Sequence, residues 1–586
     1  MTEGEHTPAS GAPPEETPPE AVPEPESSAD TPQGTPGTAK EGEEDSGGRS
    51  SALVGAGILL SRISGLVRER IFAQFFGTSL YADVFRAGLR MPNALQNLLG
   101  EGTLSASFIP VYSELLEEGR EEEAGRVAGA IFALLFCIAG ALALLGVLLA
   151  PLIVSIFTPG FTGERRELTI TVVRILFPMT GLLVLSAWSL GVLNSHRKFF
   201  VPYVAPVLWN GAMIGTLLFL GAGMTMDALV VALAWGALVG GGLQFAIQLP
   251  WVLRLDKSIR LSLGRKMENV REVVRNAGPA IMGRGVVQVS GYLDMVLASL
   301  LAIGGVAAIG YAQTLYMLPV SLFGMSVAAA ELPELSRRRG QTMVLLQDRT
   351  NRGLQRIAFY VVASFVAFMA LGDVIVAALY QTGEFGRAQT LLVYATLAGY
   401  GLALMASTST RLLNSTFFAL RDTKTPAVYA GVRVALAAVI GFTLMVQFES
   451  VTLFGLTVGP GVFSWLTIED GDTIWYFGAV GLSTATGIAA WVEWFLLRRK
   501  LRGSVGKVGA GAAPLLRLFA AAAAAAVVAW GARLILPEFQ PTLRAVVILG
   551  LFGVVYYLVA AALGNPEARG TLNRIPQTAR RFLPGR

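Results

Sequence analysis

Long runs of apolar residues fill the chain from residue 51 onward and alternate with short polar loops. Most runs reach the ~20 residues that an α-helix needs to cross the hydrocarbon core of a bilayer. The pattern therefore predicts an all-α polytopic membrane protein with about fourteen transmembrane helices. A long basic loop, 253–276, follows the sixth helix, which favours two six-helix lobes at 51–252 and 277–497 and two further helices within 513–564.

Two of the predicted spans have a distinctive feature besides their length. The second is predicted at 79–99 and contains Pro92, which removes a backbone hydrogen bond from a helix. Membrane helices tolerate such a break where they line a cavity. The twelfth span is predicted at 474–497, after an acidic loop at 448–473 that has no lysine or arginine.

Composition agrees with a membrane protein and excludes several kinds of site. Hydrophobic residues make up 53% of the chain and charged residues 15%, with a mean hydropathy of +0.56, whereas soluble domains carry about 25% charged residues. The single cysteine, Cys137, and the two histidines, His6 and His196, are far apart in the sequence and predict neither a disulfide nor a metal centre. No phosphate-binding loop or nucleophile motif is present, so we expect no cofactor and no enzyme.

The net charge of +5 divides unevenly along the chain. Residues 1–50 hold twelve acids against Lys40 and Arg49, a net charge of −10, so the rest carries +15. The segment 1–48 is rich in Pro, Glu, Gly, Ser and Thr, a composition typical of a disordered tail. The positive charge lies in short loops, so it indicates membrane topology and not nucleic-acid binding.

Lysine and arginine also alternate from loop to loop. The basic set includes 253–276 and the C-terminal tail 565–586, while the opposite set holds only Arg165, Arg166 and Arg387. By the positive-inside rule this alternation predicts a multi-pass protein of the inner (plasma) membrane with both termini in the cytoplasm.

Charged side chains inside the predicted helices are the strongest functional signal. Each costs roughly 2.5–3.5 kcal/mol at the bilayer centre unless it faces a polar cavity or a partner. An excess of guanidinium groups suits phosphate oxygens, which arginine binds in a bidentate fashion. We therefore predict a cavity that binds an anion, while Arg70 and Arg86 favour structural pairing or snorkelling. The predicted cavity residues are Arg62, Arg68 and Glu69 on the first helix, Asp83 and Arg90 on the second, and Arg284 and Asp294 on the seventh.

Several sequence motifs point to one family. They are Ser61-Arg-Ile-Ser-Gly-Leu-Val-Arg-Glu, Ala82-Asp-Val-Phe, Arg90-Met-Pro-Asn, Glu101-Gly-Thr-Leu-Ser-Ala-Ser-Phe-Ile-Pro, Tyr311-Ala-Gln-Thr-Leu-Tyr-Met-Leu-Pro and Phe417-Phe-Ala-Leu-Arg-Asp-Thr-Lys-Thr-Pro. Together they closely resemble the lipid II flippase family MurJ (also called MviN), over about residues 51–565. This family is similar to other exporters of the multidrug/oligosaccharidyl-lipid/polysaccharide superfamily.

The resemblance implies a function and roles for named residues. Its members move lipid II, the undecaprenyl-diphosphate-linked disaccharide-pentapeptide of cell wall synthesis, outward by alternating access. The resemblance implies that Arg62 and Arg68 bind the diphosphate and that Asp83 shapes the cavity or its gating. It also implies that the last two helices, within 513–564, form a groove for the lipid tail.

The chain departs from the family pattern at several of these positions. The Arg-Asp pair of the first helix is Arg68-Glu69 here, and arginines found in many members are replaced by Gln96 and Thr314. We hypothesise that Arg90 and Arg284 take over from the missing arginines. Asp294 corresponds to a cation site of some members and is a candidate for cation binding or gating. Its expected partners, however, are Ala437 and Gly441, which offer no side-chain oxygen.

Other functions remain open at this point. A flippase for a different polyprenyl-diphosphate-linked oligosaccharide would recognise the same diphosphate, whereas a drug-cation exporter would favour an acidic cavity. A membrane enzyme acting on such lipids would need paired carboxylates for Mg²⁺. The nearest pair, Glu331 and Glu334, is more typical of a helix end. A scaffold that binds other cell-wall synthesis proteins through the basic loops would leave the buried charges unexplained.

Overall fold

The computed structural model describes residues 41–262, 264, 266–325, 343–453, 456–471, 473–537 and 540–571. Side-chain positions are given for these residues except 41–54, 283–284, 286–290, 324–325 and 453. The chain divides into two units, Met1–Ser51 and Ala52–Arg586. The first 40 residues of the predicted disordered tail lie outside the described residues, as do Glu331 and Glu334.

Nine α-helices lie in the described part of the N-terminal half, which we call the N-lobe. They are α1 Glu41–Phe76, α2 Leu80–Arg90, α3 Asn93–Leu99, α4 Glu101–Glu117, α5 Glu121–Leu148, α6 Ala150–Phe157, α7 Gly163–Ser195, α8 Phe200–Leu220 and α9 Met226–Leu255.

Six helices of the described C-terminal half form what we call the C-lobe, and two more form the C-terminal pair. The C-lobe helices are α10 Glu268–Ser299, α11 Gly305–Pro319, α12 Met343–Tyr380, α13 Arg387–Ala419, α14 Lys424–Phe448 and α15 Gly478–Ser504. The C-terminal pair is α16 Ala512–Ile535 and α17 Pro541–Ala562. A π-helical turn, Val320–Met325, continues α11. Helices α9 and α10 leave only 256–267 of the predicted basic linker outside a helix.

Membrane-spanning character follows from length and composition. Among the described residues, eleven helices are long and apolar enough to cross a bilayer, and each of the fourteen predicted spans overlaps at least one described helix. Large apolar side chains such as Phe219 and Ile535 are more than four-fifths exposed, as expected of a surface that faces lipid rather than water. The predicted all-α polytopic fold is confirmed.

The second predicted span is divided into two helices, and a third follows it directly. Helix α2 ends at Arg90, and α3 begins after Pro92, so the predicted break at this proline is confirmed. Gly100 then separates α3 from α4, which the sequence analysis did not assign. The glutamates at positions 101, 114 and 117 give α4 a polar composition that conceals it from a search for apolar runs.

Two short β-hairpins precede α15 and shorten the predicted twelfth span. Strands Val451–Leu453 and Leu456–Val458 pair antiparallel, as do Thr467–Asp470 and Thr473–Tyr476. The predicted helix start at 474 is therefore wrong, because the run Thr-Ile-Trp-Tyr continues as a strand until the helix begins at Gly478. β-branched and aromatic residues fit a pleated strand better than a helix.

The lobes pack around central helices. Helix α7 contacts α2 to α6, α8 and α9 in the N-lobe, while α15 packs against α13 and α14 in the C-lobe. The C-terminal pair packs on α12 through a stripe of buried alanines, Ala521, Ala525 and Ala529, spaced one turn apart. Small residues at this spacing allow helix axes to approach closely in a membrane, where apolar burial alone drives little association.

Candidate functional site

Three charged residues of the N-lobe form one ion-pair cluster. The Glu69 carboxylate accepts a hydrogen bond of 2.7 Å from Arg68 and another of 2.7 Å from Arg86. All three side chains are at most 16% exposed, so these pairs are shielded from water and strengthened by their surroundings. With two guanidinium groups on one carboxylate, the cluster keeps a net positive charge.

Arg86 also joins this cluster to the C-lobe. Its guanidinium lies 4.0 Å from the ring centroid of Tyr311 on α11 and 5.2 Å from that of Phe72. Gly310 makes this approach possible, because a Cβ atom there would lie 2.7 Å from Nη1 of Arg86. The structural role that the sequence favoured for Arg86 agrees with this placement.

Arg62 and Arg68 have different surroundings although they share α1. Arg62 is exposed and donates a hydrogen bond of 2.8 Å to the hydroxyl of Ser321 in the π-helical turn. Arg68 donates one of 3.1 Å to Asn210 and stacks 5.0 Å from the centroid of Trp209. They are six positions apart, which corresponds to about 9 Å along a helix axis. That separation is close enough for one extended headgroup to reach both.

Asp83 lies in a buried contact between the lobes. Its carboxylate accepts a hydrogen bond of 2.7 Å from Arg165 of α7, and two of 2.7 Å from the backbone N–H groups of Gly304 and Ala307. The side chain of Asp83 is fully buried, and that of Arg165 is 8% exposed. We call these four residues the interlobe seal.

The interlobe seal uses the start of α11 as a partner. The first N–H groups of a helix lack partners within the helix and carry a partial positive charge, so a carboxylate placed there is stabilised. Gly304 precedes the helix with φ +91°, and a Cβ atom there would lie 2.4 Å from the carbonyl oxygen of Thr78. The two lobes therefore touch at backbone distance.

A central cavity separates the lobes beside the ion-pair cluster. Its volume is about 310 Å³, and Arg90 and Asn93 of the N-lobe face Asp294, Gln313 and Thr314 of the C-lobe across it. Thr314 is one of the two positions at which many family members have arginine. The structure thus brings Arg90 to the same cavity as Thr314, whereas the side chain of Arg284 lies outside the described residues.

Asp294 shares the central cavity with Arg90. Arg90 and Arg433 are the positively charged groups that interact with its carboxylate. Both would repel a cation bound at Asp294. Among the residues that the structure describes, no group of three His, Cys, Asp or Glu side chains could hold a metal ion.

The N-lobe contains a larger cavity of different character. Its volume is about 650 Å³, and neutral polar groups with one carboxylate, Glu101, line much of it. The polar lining residues are Gln96, Asn97, Glu101, Ser105, Ser186 and Gln244. Polar residues of α2 and α3 thus reach three places: Asp83 the interlobe seal, Arg90 the central cavity and Asn97 this N-lobe cavity.

Sequence reasoning missed three charged groups of the membrane region. Arg165 was counted as a loop residue, although α7 begins at Gly163 and buries it. Arg433 donates a hydrogen bond of 3.1 Å to Glu493, whose side chain is 3% exposed. Arg433 and Glu493 both lie inside predicted spans, so the argument from the cost of intramembrane charge could have found them.

Glu449 belongs to the predicted acidic loop at 448–473, yet it is buried. It lies directly after α14, and its carboxylate accepts a hydrogen bond of 3.4 Å from the N–H of Ala302. Burial raises the pKa of Glu449 to about 7. No pattern in the sequence signals this burial, because it depends on the packing of the loop against the start of α15.

Comparison with known proteins assigns the chain to a family. A family model described as lipid II flippase MurJ matches residues 72–468. A probable lipid II flippase MurJ of Rhizobium tropici is 33% identical over 422 residues, which cover 70% of this chain and 78% of the relative. The lipid II flippase MurJ of Burkholderia cenocepacia is 31% identical over 424 residues, covering 71% and 81%.

Solved structures show the same fold. A lipid II flippase MurJ in an inward closed conformation has a TM-score of 0.68 at 22% identity and covers 87% of this chain and 98% of its own. An inward-facing multidrug resistance transporter of the MATE family has a TM-score of 0.57 at 18% identity, over 76% of this chain and 95% of its own. From its sequence matches, the chain belongs to the lipid II flippase MurJ family.

Proposed function

We propose that the protein moves lipid II from the cytoplasmic to the outer leaflet of the inner membrane by alternating access. The family is one of lipid flippases, so the work is transport and not a chemical reaction. The interlobe seal is the observation that supports this mechanism, because the carboxylate of Asp83 joins the N-lobe to the C-lobe. An alternating-access carrier needs such a contact to close one end while the other end is open.

The closed end is the outer one in this proposal. The seal lies near the loops that carry Arg165 and Arg387, which belong to the sparsely basic set, so the positive-inside rule assigns them to the outside. Both termini then face the cytoplasm. With the outer end closed, the cavities accept substrate from the cytoplasmic leaflet, where lipid II is made.

The ion-pair cluster and its neighbours bind the diphosphate in this mechanism. Arg62 is exposed. Arg68 and Arg86 share the single carboxylate of Glu69, which balances the charge of only one of them. Phosphate oxygens accept bidentate hydrogen bonds from guanidinium groups. Glu69 holds Arg68 in place and limits how tightly the diphosphate is held, which permits release.

The remaining predicted residues have supporting roles. Arg90 lines the central cavity with Thr314 and supplies the positive charge that many relatives supply from that position. Asp294 balances Arg90 across the gap between lobes, so it acts in gating. Arg284 keeps its proposed role on α10. The neutral polar lining of the N-lobe cavity suits the sugar and peptide, which offer many hydrogen-bonding groups.

The C-terminal pair lines the path of the lipid tail. Both of its helices expose large apolar side chains, such as Val527 and Val546, that are compatible with a polyprenyl chain in the bilayer. Other cell-wall synthesis proteins are proposed partners of the cytoplasmic basic loops.

Complementation tests the function and the site together. A rod-shaped bacterium is depleted of its own lipid II flippase and supplied with this protein, with Arg68→Ala or with Arg90→Ala. We expect the wild type to restore growth and both variants to fail, because each loses a charge-assisted contact worth about 1.5–3 kcal/mol. Lipid II reaching the outer surface is measured in parallel with a membrane-impermeant amine reagent.

Matched variants separate charge from folding. Arg68→Lys keeps the charge and loses the fork, so partial rescue is expected. Arg166→Gln removes a partly exposed arginine in the first turn of α7 that lines neither cavity, and it should rescue fully. The wild-type protein could be well expressed and still not restore growth of the depleted strain. If it instead rescued a strain that cannot transport another polyprenyl-diphosphate-linked sugar, that sugar lipid would be the substrate.

A further inference from the structure

A separate charged cavity lies between α12 and the C-terminal pair, and the mechanism above makes no use of it. Its volume is about 440 Å³. We call it the arginine cavity, and its charged lining residues are Asp373, Arg387, Arg533 and Arg544. They come from four different helices: α12, the first residue of α13, the last turn of α16 and the first turn of α17.

One carboxylate organises the arginine cavity. Arg533 donates two hydrogen bonds to the two oxygens of Asp373, of 3.1 and 2.8 Å, and Arg387 donates a third of 3.3 Å. Arg544 donates a hydrogen bond of 2.9 Å to the backbone carbonyl of Arg533. The side chain of Asp373 is only 9% exposed, whereas that of Arg387 is 53% exposed.

The ion pairs of Asp373 do not balance its two partners. Arg387 and Arg533 both point to this one carboxylate, which compensates the charge of only one guanidinium. The remaining positive charge lies at the ends of helices that carry exposed apolar side chains, and a charge beside such a surface is stabilised by a counter-charge. An anion that enters the cavity would supply this counter-charge. The half-exposed fork of Arg387 is the group best placed to meet it.

Exposed apolar side chains beside the arginine cavity favour a lipid as the molecule that supplies the anion. Large apolar side chains at the same ends of the C-terminal pair are exposed: Leu534 by 77%, Ile535 by 84% and Leu543 by 56%. A lipid whose acyl chains cover these side chains would place its headgroup at the arginine cavity. Phosphate is the group of membrane lipids that matches the guanidinium fork.

We propose that the arginine cavity binds the phosphate group of an anionic membrane lipid. The lipid then neutralises Arg387 and Arg533 and joins the C-terminal pair to α12 and α13. This site differs from the diphosphate site of the transport mechanism in its position and in its residues. It does not depend on the identity of the transported substrate.

Native mass spectrometry of the purified full-length protein tests the site. Dioleoyl phosphatidic acid, dioleoyl phosphatidylcholine and inorganic phosphate are titrated separately in a neutral detergent. We expect phosphatidic acid to bind more tightly than phosphatidylcholine. Arg387→Gln should weaken the binding of phosphatidic acid about tenfold, as expected for the loss of one charge-assisted contact. Arg166→Gln, at a partly exposed arginine of the N-lobe, should leave it unchanged.

A second variant distinguishes a lipid site from a purely structural ion pair. Asp373→Asn removes the competing carboxylate, so it should strengthen the binding of phosphatidic acid several-fold while lowering thermal stability. Equal binding by the wild type, Arg387→Gln and Asp373→Asn would overturn the proposal. The proposal would also be overturned if inorganic phosphate bound as tightly as phosphatidic acid and displaced it, because the cavity would then be a site for free phosphate.

Discussion

The carboxylate of Asp83 binds three partners, so we expect replacement of this one residue to change the balance between closed and open states strongly. Asp83→Asn leaves Arg165 buried without its counter-charge, and removal of one partner from a buried pair costs about 3–5 kcal/mol. Opening of the outer end would separate residue 83 from the N–H groups of Gly304 and Ala307 in the C-lobe and would let water reach Arg165, so the closed state bears most of this loss. We expect the variant to populate outward-open forms.

The reporter for this prediction is a cysteine at position 78. Thr78 is 1% exposed in the closed interlobe contact. In a Cys137→Ser background, Thr78→Cys should react slowly with an impermeant maleimide applied to intact cells, and Asp83→Asn should accelerate the reaction at least tenfold. Equal reactivity with and without the Asp83→Asn substitution would contradict the assigned role of the interlobe seal.

The burial of Glu449 predicts a pH dependence of stability. Its pKa is raised from 4.5 to about 7, chiefly by burial, with Arg165 and the amide of Ala302 acting in the opposite direction. Between these pH values the folded protein keeps a proton that the unfolded chain releases. The free energy of unfolding therefore falls as pH rises through this window, by at most about 3 kcal/mol.

Thermal unfolding of the purified protein between pH 4.5 and 8 measures this effect. Glu449→Gln should match the wild type near pH 4.5 and unfold at a higher temperature than the wild type at pH 8. Glu469→Gln, at an exposed position of the third strand, provides the control and should follow the wild type. A difference between wild type and Glu449→Gln that does not change with pH would rule out titration of this carboxyl.

At the junction between α10 and α11, the backbone conformation of Gly304 determines how closely the two lobes approach. Gly304→Ala would introduce a methyl group 2.4 Å from the Thr78 carbonyl, at a φ of +91° that alanine disfavours. We expect weaker outer closure and faster labelling at position 78, as for Asp83→Asn. Slower transport should accompany it.

Gly163→Ala provides the matched control for this element. Gly163 also has a positive φ, of +53°, but has no atom within 4 Å of an added Cβ. Its replacement costs backbone strain without an interlobe clash. If both alanine variants label equally fast, strain alone explains the result and the contact with Thr78 is unimportant.

Helices that are uniformly apolar could be predicted from the sequence, whereas mixed elements could not. The spans for α8, α14 and α17 overlap the observed helices closely because lipid on the outside demands apolar residues over a fixed length. Helix α4 and the strands before α15 escaped prediction since tertiary contacts decide their structure. For the site, Arg68 and Glu69 were found from their cost in a membrane. The interlobe partner Arg165 was not, because a helix start and a loop look alike in sequence.

The topology of the whole molecule makes a prediction that needs no transport assay. In the Cys137→Ser background, Thr162→Cys and Lys257→Cys place single thiols in exposed loops of opposite charge character. We expect Thr162→Cys to react with an impermeant maleimide in intact spheroplasts, and Lys257→Cys to react only after the membrane is opened. The reverse pattern would invert the proposed orientation and move the interlobe seal to the cytoplasmic end.

The central cavity has a pharmacological consequence. It has one wall from each lobe, with Arg90 on one and Asp294 on the other. A compact zwitterionic compound that filled it would contact both walls only while the lobes stay together. Its binding free energy would therefore add to the closed state alone and shift the population toward it. Such a compound would hold the carrier in its closed state, and an excess of lipid substrate would relieve the inhibition by competing for Arg90.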